Sequence, residues 1–196
     1  MVSLSPISRQ FPLSAGGSAQ DTRLPSGAVG LVDLTAEPRF GIKGPGSSAW
    51  LEGCGITLPP VNRIGTHGGL RVLRLGSEDF LIVDGELDTL TARWNNAAVP
   101  RGYWSWREEG WAWMRLSGQA VNSIMARLCA LDLRAGRLRE DEIAQTRVSQ
   151  LEAVLVRAGE GFDVFFDIAA TAFFVRTVIV AAKQIADERT SREKHQ

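Results

Sequence analysis

The sequence has 196 residues and a mass of 21.3 kDa, which is enough chain to bury one sizeable core without disulfides or a structural metal. Basic and acidic residues number 22 each, so the chain lacks the positive excess of a nucleic-acid-binding protein. Two cysteines and two histidines are too few for a disulfide framework or a typical histidine-rich metal centre, and we predict neither.

The N-terminal segment, residues 1–26, has no continuous apolar stretch and does not match a secretory signal. It is rich in serine and poor in acidic residues, and we predict a flexible arm, with a transit peptide as the less favoured alternative. The longest apolar stretch, 168–182, is interrupted by Arg176 and is predicted to be too short to cross a bilayer. We therefore expect a cytoplasmic protein without membrane contacts.

Short β-type runs separated by glycine and proline begin at residue 27. In the first half, the pattern predicts strands over 27–34, 39–43, 70–75 and 79–83 and helices through Trp50 and over 86–94. In the second half, it predicts strands over 102–106, 111–116, 143–149, 152–158 and 162–168 and helices over 118–129 and 169–187. The mixed-charge tail, 189–196, is predicted to be frayed.

Similar short motifs occur in both halves in the same order. Gly44 and Gly118 each open a helix that leads to a Cys-x-φ-x-Leu segment, where φ is an apolar residue. Later, Arg74-x-Gly76 matches Arg157-x-Gly159. We interpret this as an internal repeat and predict an α+β fold of two related β-α-β-β-α units within one two-lobed domain, 27–188. The predicted boundaries of the two units are 27–107 and 108–188.

Both cysteines, Cys54 and Cys129, lie at the end of the first helix of a unit. We therefore predict that they are small buried apolar residues and not nucleophiles.

Catalytic motifs are missing from the sequence: it has no phosphate loop, no dinucleotide-binding glycine motif and no nucleophile elbow. His67 lies in a glycine-rich segment that predicts a flexible loop, where a histidine is either a general base or, more simply, solvated. Glu160, in the glycine-flanked turn 159–161, can present a carboxylate to a ring nitrogen of a ligand, although a polar hairpin tip is the simpler interpretation. We predict no catalytic residue in this chain.

Four of the six tryptophans lie within ten residues, and we predict that they form part of a partner interface: Trp104, Trp106, Trp111 and Trp113. The pattern predicts a hairpin. A two-residue loop would place all four indoles on one face, whereas a loop closed by Gly110 would divide them between faces and is favoured. One pair would then enter the core, and either the last helix or a partner chain would cover the other.

The last helix is apolar around most of its circumference near its start. This pattern predicts burial on two sides, which exceeds the one-third apolar face of an ordinary surface helix.

Several of these segments resemble the gamma subunit of bacterial heterotetrameric sarcosine oxidase. They are 39–46, 115–118, 129–133, 144–146 and 162–165. The resemblance extends over residues 28–185, and that family is itself similar to the folate-binding lobes of the aminomethyltransferase (T-protein) superfamily. The turn with Glu160 resembles the transferase segment that contacts folate, shortened by one residue.

The resemblance implies a structural, non-catalytic subunit of a complex that demethylates sarcosine to glycine. The products are formaldehyde or methylene-tetrahydrofolate, together with hydrogen peroxide. FAD, FMN, NAD, zinc and tetrahydrofolate would belong to the other subunits, and this chain would contact the alpha, beta and delta subunits, mainly alpha. A sister complex such as N-methylglutamate dehydrogenase, and a small folate-binding aminomethyltransferase-like protein that uses Glu160, are the alternatives.

Overall fold

The structure is a computed structural model that describes residues 20–23, 29–97, 102–134 and 136–193. The strands are β1 Gln20–Arg23, β2 Gly30–Asp33, β3 Arg39–Lys43, β4 Arg63–His67, β5 Leu70–Gly76, β6 Asp79–Val83, β7 Tyr103–Trp104, β8 Trp111–Ser117, β9 Ile143–Val148, β10 Leu151–Ala158 and β11 Gly161–Asp167. The helices are α1 Ser47–Gly53, α2 Asp88–Asn96, α3 Arg107–Gly110, α4 Val121–Leu128 and α5 Thr171–Glu193. A turn of 3-10 helix, Ile168–Ala170, leads into α5.

Two antiparallel sheets contain all of these strands. The first sheet has the order β4-β5-β6-β3-β7, and the second has the order β1-β2-β8-β11-β10-β9. Four strands of the first sheet, β3-β6-β5-β4, therefore follow the same order as β8-β11-β10-β9 of the second. In each of these sets, one helix follows the first strand and another follows the last strand along the chain. Each half is thus β-α-β-β-β-α, with one strand more than the predicted unit.

The additional strand of the first half is β4, which the sequence analysis missed because its side chains are only partly buried and do not alternate. His67 ends this strand opposite Leu70 and is half-buried, so the predicted flexible loop at this position was wrong. The first residues of β4 also meet the start of β9, where the Ile64 amide donates to the Asp141 carbonyl over 2.8 Å. This contact joins the two sheets at one edge.

The four layers of the fold are helices, sheet, sheet and helices. The outer face of the first sheet packs on α1 and α2 through Phe40, Ile42 and Phe80, among others. The two sheets face each other through apolar residues such as Leu81 and Phe165. The outer face of the second sheet packs on α4 and α5. Strands in the middle of this sandwich are covered on both faces, which explains why β6 and β11 are nearly continuous apolar runs.

Three predicted boundaries differ from the structure. Residues 20–23 of the predicted arm form β1, which pairs with β2 from Gln20 opposite Asp33 to Arg23 opposite Gly30. The rest of 1–26 lies outside the described residues. Strand β2, assigned by prediction to the first unit, pairs with β8 in the second sheet. Helix α5 continues to Glu193, so residues 189–193 of the predicted frayed tail are helical.

The last helix also differs from the expectation for its length. Within the described residues, Ile168–Ser191 is the one helix with the length and hydropathy to cross a bilayer, because it extends well beyond residue 182. Part of its apolar surface is used within the fold, where Phe174, Val178 and Ile185 are buried against the second sheet.

Candidate functional site

The tryptophan-rich segment is divided between the two sheets. Trp104 pairs with Ile42 in the first sheet, whereas Trp111 pairs with Asp167 in the second. Between them, the Glu109 and Gly110 amides donate to the Trp106 carbonyl and form the single turn α3. The predicted hairpin was therefore wrong, because the two strands join different sheets, β7 pairing with β3 and β8 pairing with β2 and β11.

Three of the four tryptophans have contacts inside the fold. Trp113 is 2% exposed and stacks on Phe165 at 5.2 Å between ring centroids. Trp111 is half-buried, with the Arg107 guanidinium 4.6 Å from its ring centroid. Trp104, also half-buried, lies edge-on to Phe40, in the core between the first sheet and helices α1 and α2, with 5.0 Å between ring centroids. These indoles fill two separate cores, an outcome that neither predicted loop length anticipated.

Trp106 is the remaining member of the predicted interface, and it is 59% exposed. Its backbone has φ 52°, a left-handed conformation that costs a bulky residue about 1 kcal/mol. Tyr103, three residues earlier, is also exposed. The partner-interface prediction for the four tryptophans stays a prediction, and the exposed surface that it requires is centred on Trp106.

A buried ion-pair cluster lies between the sheets. Asp163 of β11 is 0% exposed and accepts two hydrogen bonds from Arg115, Nε to Oδ1 at 2.6 Å and Nη2 to Oδ2 at 2.9 Å. Arg71 of the first sheet donates from Nη2 to Asp163 Oδ2 over 3.0 Å and from Nε to Asp84 Oδ2 over 2.5 Å. The hydrogen bond to Asp163 raises the pKa of Arg115, although burial opposes this shift. One carboxylate therefore ties both sheets together.

Two more arginines are buried where the sheets meet the tryptophan segment. Arg39 donates from Nη2 to the carbonyls of Glu108 and Trp111, at 2.8 and 3.2 Å. Arg107 donates from Nη2 to Asp79 Oδ2 over 2.8 Å. Sequence reasoning missed these roles. The available signal was a charged residue next to apolar strand residues, with Arg39 at the start of β3 and Asp163 within β11.

A cavity of about 290 Å³ opens beside the ion-pair cluster, and its walls include Asp84, Trp113 and Arg115. Both the Asp84 and Asp163 carboxylates face a guanidinium within hydrogen-bond distance. These ion pairs cross-link the two sheets, because Asp163 of the second sheet also binds Arg71 of the first.

Glu160 lies at the exposed tip of the β10–β11 hairpin. Glu160 lines none of four cavities on the surface of the described residues, which lie beside Arg115, Gln145, Arg147 and Asp132. The neighbouring Arg157 turns back into the fold, where its guanidinium lies 4.9 Å from the Phe162 ring centroid. The folate contact predicted for Glu160 stays a prediction.

The cysteines are both free thiols. Cys129 is buried, as predicted, whereas Cys54 is half-buried. Over the ranges that the structure describes, no group of three or more histidine, cysteine, aspartate or glutamate side chains is placed to hold a metal ion.

No protein-family model matches the sequence, and no curated protein matches it. The fold is similar to that of a chain in the structure of heterotetrameric sarcosine oxidase from Corynebacterium sp. U-96, determined in complex with pyrrole 2-carboxylate. The two chains are 22% identical, with a TM-score of 0.69 over 81% of this chain and 85% of that chain. The chain has a sarcosine-oxidase-related fold.

Proposed function

We propose that this chain is the gamma-type subunit of a sarcosine-oxidase-type complex and has a structural, non-catalytic role. The observation that carries the proposal is the fold likeness, which extends over 81% of this chain and 85% of the oxidase chain. Since both chains are covered to a similar extent, they are of similar length. The comparison is therefore with most of a small subunit and not with one lobe of a larger protein.

The internal architecture supports a scaffold role. The charged side chains between the sheets bind one another, as Asp163 does with Arg115 and Arg71. The matching strand orders of the two sheets agree with a duplicated unit, and we infer that the halves correspond to the paired lobes of the T-protein superfamily. On this proposal, chemistry takes place in the other subunits.

The proposed complex oxidatively demethylates sarcosine to glycine in the cytoplasm. Molecular oxygen is reduced to hydrogen peroxide, and the methyl carbon leaves as formaldehyde or is captured as methylene-tetrahydrofolate. Its alpha, beta and delta subunits would hold FAD, FMN, NAD, zinc and tetrahydrofolate, and this chain would bind mainly alpha. The exposed Trp106 is part of the proposed contact surface. A complex specific for another N-methyl amino acid, such as N-methylglutamate, would use the same subunit arrangement.

Co-expression tests this proposal. The chain, carrying an affinity tag, is expressed with the alpha, beta and delta subunits encoded in the same genome, and the purified material is assayed for flavin absorbance and for sarcosine-dependent peroxide formation. We expect a stoichiometric flavoprotein complex that oxidises sarcosine, while the isolated chain shows no flavin and no activity. Purification of the chain without a flavoprotein partner would refute the proposal.

A further inference from the structure

Helix α5 has two apolar faces, and only one of them packs within the chain. Phe174, Val178 and Ile185 are buried in the core between the second sheet and helices α4 and α5. On the outer side, Phe173 is 44% exposed and Val180 is 54% exposed. We predicted that this helix is buried on two sides, and within this chain it is buried on one side only.

A cavity of about 620 Å³ lies beside this outer face, between α4, α5 and the turn that joins β9 to β10. Its apolar wall is formed by Leu128, Cys129 and Phe173. Ser149 also lines it, at 5% exposed, and its Oγ has no hydrogen-bond partner among the residues that the structure places. A buried hydroxyl without a partner has lost its hydrogen bonds to water, so a polar group from outside the chain would stabilise this position.

Two arginines lie at the rim of the cavity. Arg127 and Arg147 line it, and its described lining includes no acidic residue. Both guanidiniums are bound to exposed glutamates outside the lining, Arg127 to Glu188 at 2.7 Å and Arg147 to Glu152 at 2.6 Å. Exposed ion pairs contribute little to stability, so these arginines can exchange partners for a carboxylate that arrives with an apolar group.

The surface is large enough to supply part of a stable contact. A smaller cavity of about 130 Å³ adjoins it across Ala126 and includes the exposed Leu131. At 1.5 Å per residue, helix α5 is about 34 Å long and helix α4 about 12 Å, so at a width of about 10 Å each the two helices present roughly 450 Å². A standard interface buries about 800 Å² on each partner, so this face would supply about half of one.

We propose that this α4–α5 face binds a segment of a partner subunit that carries an apolar side chain and a carboxylate. The apolar side chain enters the cavity against Phe173, the carboxylate binds Arg127 or Arg147, and a polar group of the segment reaches Ser149 Oγ. This inference rests on the proposed function, and it adds a docking surface that is separate in sequence from Trp106.

The test uses the co-expressed complex with three variants. Phe173→Asp places a charge in the cavity wall, and Arg147→Glu reverses the charge of an exposed rim side chain. Val61→Asp is the matched control, because Val61 is 45% exposed and lines none of the cavities described for this chain. Circular dichroism checks the fold of each isolated chain, and the dissociation constant of the complex is measured by analytical ultracentrifugation.

We expect Phe173→Asp and Arg147→Glu to weaken assembly at least tenfold, with Val61→Asp unchanged. If the wild-type complex forms and both cavity variants assemble equally well, this inference is wrong while the proposed function stands. If the wild-type chain does not assemble, both are wrong. Self-association of the isolated chain, or its binding to anionic phosphatidylserine vesicles, would also overturn the inference if Phe173→Asp abolished it, because another occupant would then hold this face.

Discussion

Asp163→Asn tests whether the ion-pair cluster holds the two sheets together. The substitution conserves the volume of a fully buried side chain but removes the charge that faces Arg115 and Arg71. Two guanidiniums are then left beside a neutral amide whose NH₂ group, like theirs, donates hydrogen bonds. The variant therefore isolates electrostatics and hydrogen bonding from packing.

The expected cost follows from burial. Breaking a buried ion pair by removing one partner costs about 3–5 kcal/mol. The lower end applies here because Arg115 is partly exposed and Arg71 keeps Asp84 as a second partner. We expect a loss of about 3 kcal/mol, which in a domain of this size lowers the Tm by roughly 6–12 °C.

Urea unfolding, followed by tryptophan fluorescence and circular dichroism, measures this loss. Asp84→Asn is the matched control: the same chemical change removes the other carboxylate that binds Arg71, but Asp84 is exposed. Its φ of 64° is also compatible with asparagine, so the backbone adds no cost. The control should cost below about 1 kcal/mol. Equal costs for the two variants would refute the structural role of Asp163.

Three further predictions concern strand packing, pH and the exposed indole. Gly161→Ala places a methyl carbon 2.1 Å from a backbone oxygen of β8, and it should lower the free energy of unfolding in urea by about 3 kcal/mol or more. Gly53→Ala is the control: it lies in open space within α1 and should leave the free energy of unfolding unchanged or raise it. The pKa of Glu142 is lowered, chiefly by the hydrogen bond from the Arg139 backbone amide. The ionised Glu142 carboxylate therefore stabilises the fold above the ordinary pKa of a glutamate, and this stabilisation is lost as the pH falls below that value. Glu142→Gln should therefore flatten the decline of the urea midpoint between about pH 5 and pH 3. Trp106→Gly should stabilise the isolated chain by up to about 1 kcal/mol and weaken the complex in the sedimentation assay.

Each of these has a contradicting result. A Gly161→Ala protein as stable as the wild type would show that β8 and β11 are not so closely paired. An unchanged acid transition in Glu142→Gln would remove this carboxylate from the pH dependence. A destabilised Trp106→Gly chain that still assembles fully would make Trp106 a folding residue and not a contact residue.

Much of the second half could be predicted from local pattern. The three strands from Ile143 to Asp167 follow one another with short turns, and each pairs with its neighbour in the chain. Reading the apolar runs and turns in order was therefore enough to predict these strands. The same reasoning failed at 104–113, where two aromatic strands close in sequence joined different sheets. Strands that are adjacent in the chain form a hairpin only when neither pairs better elsewhere, and here β7 pairs with β3 while β8 pairs with β2 and β11.

The candidate site shows the same division. Burial of Cys129 was predicted because its position at the end of a helix is local information. The role of Asp163 was not, because its partner Arg71 lies 92 residues away in another sheet. The exposure of Phe173 could not be predicted either. An apolar pattern on a helix shows that a residue is suited to burial, but not whether this chain or another protein covers it.

The amino-acid sequence by itself determined the order of helices and strands in most of the chain, the similar motifs of the two halves and the apolar surplus of the last helix. Apolar spacing and turn residues encode these features locally. Only the tertiary structure decided which sheet each strand joins, which indole remains exposed and where a buried carboxylate is neutralised. The physical reason is that hydrophobic burial has no direction: a pattern specifies which face of an element turns inward, but the packing of all elements together selects what that face meets.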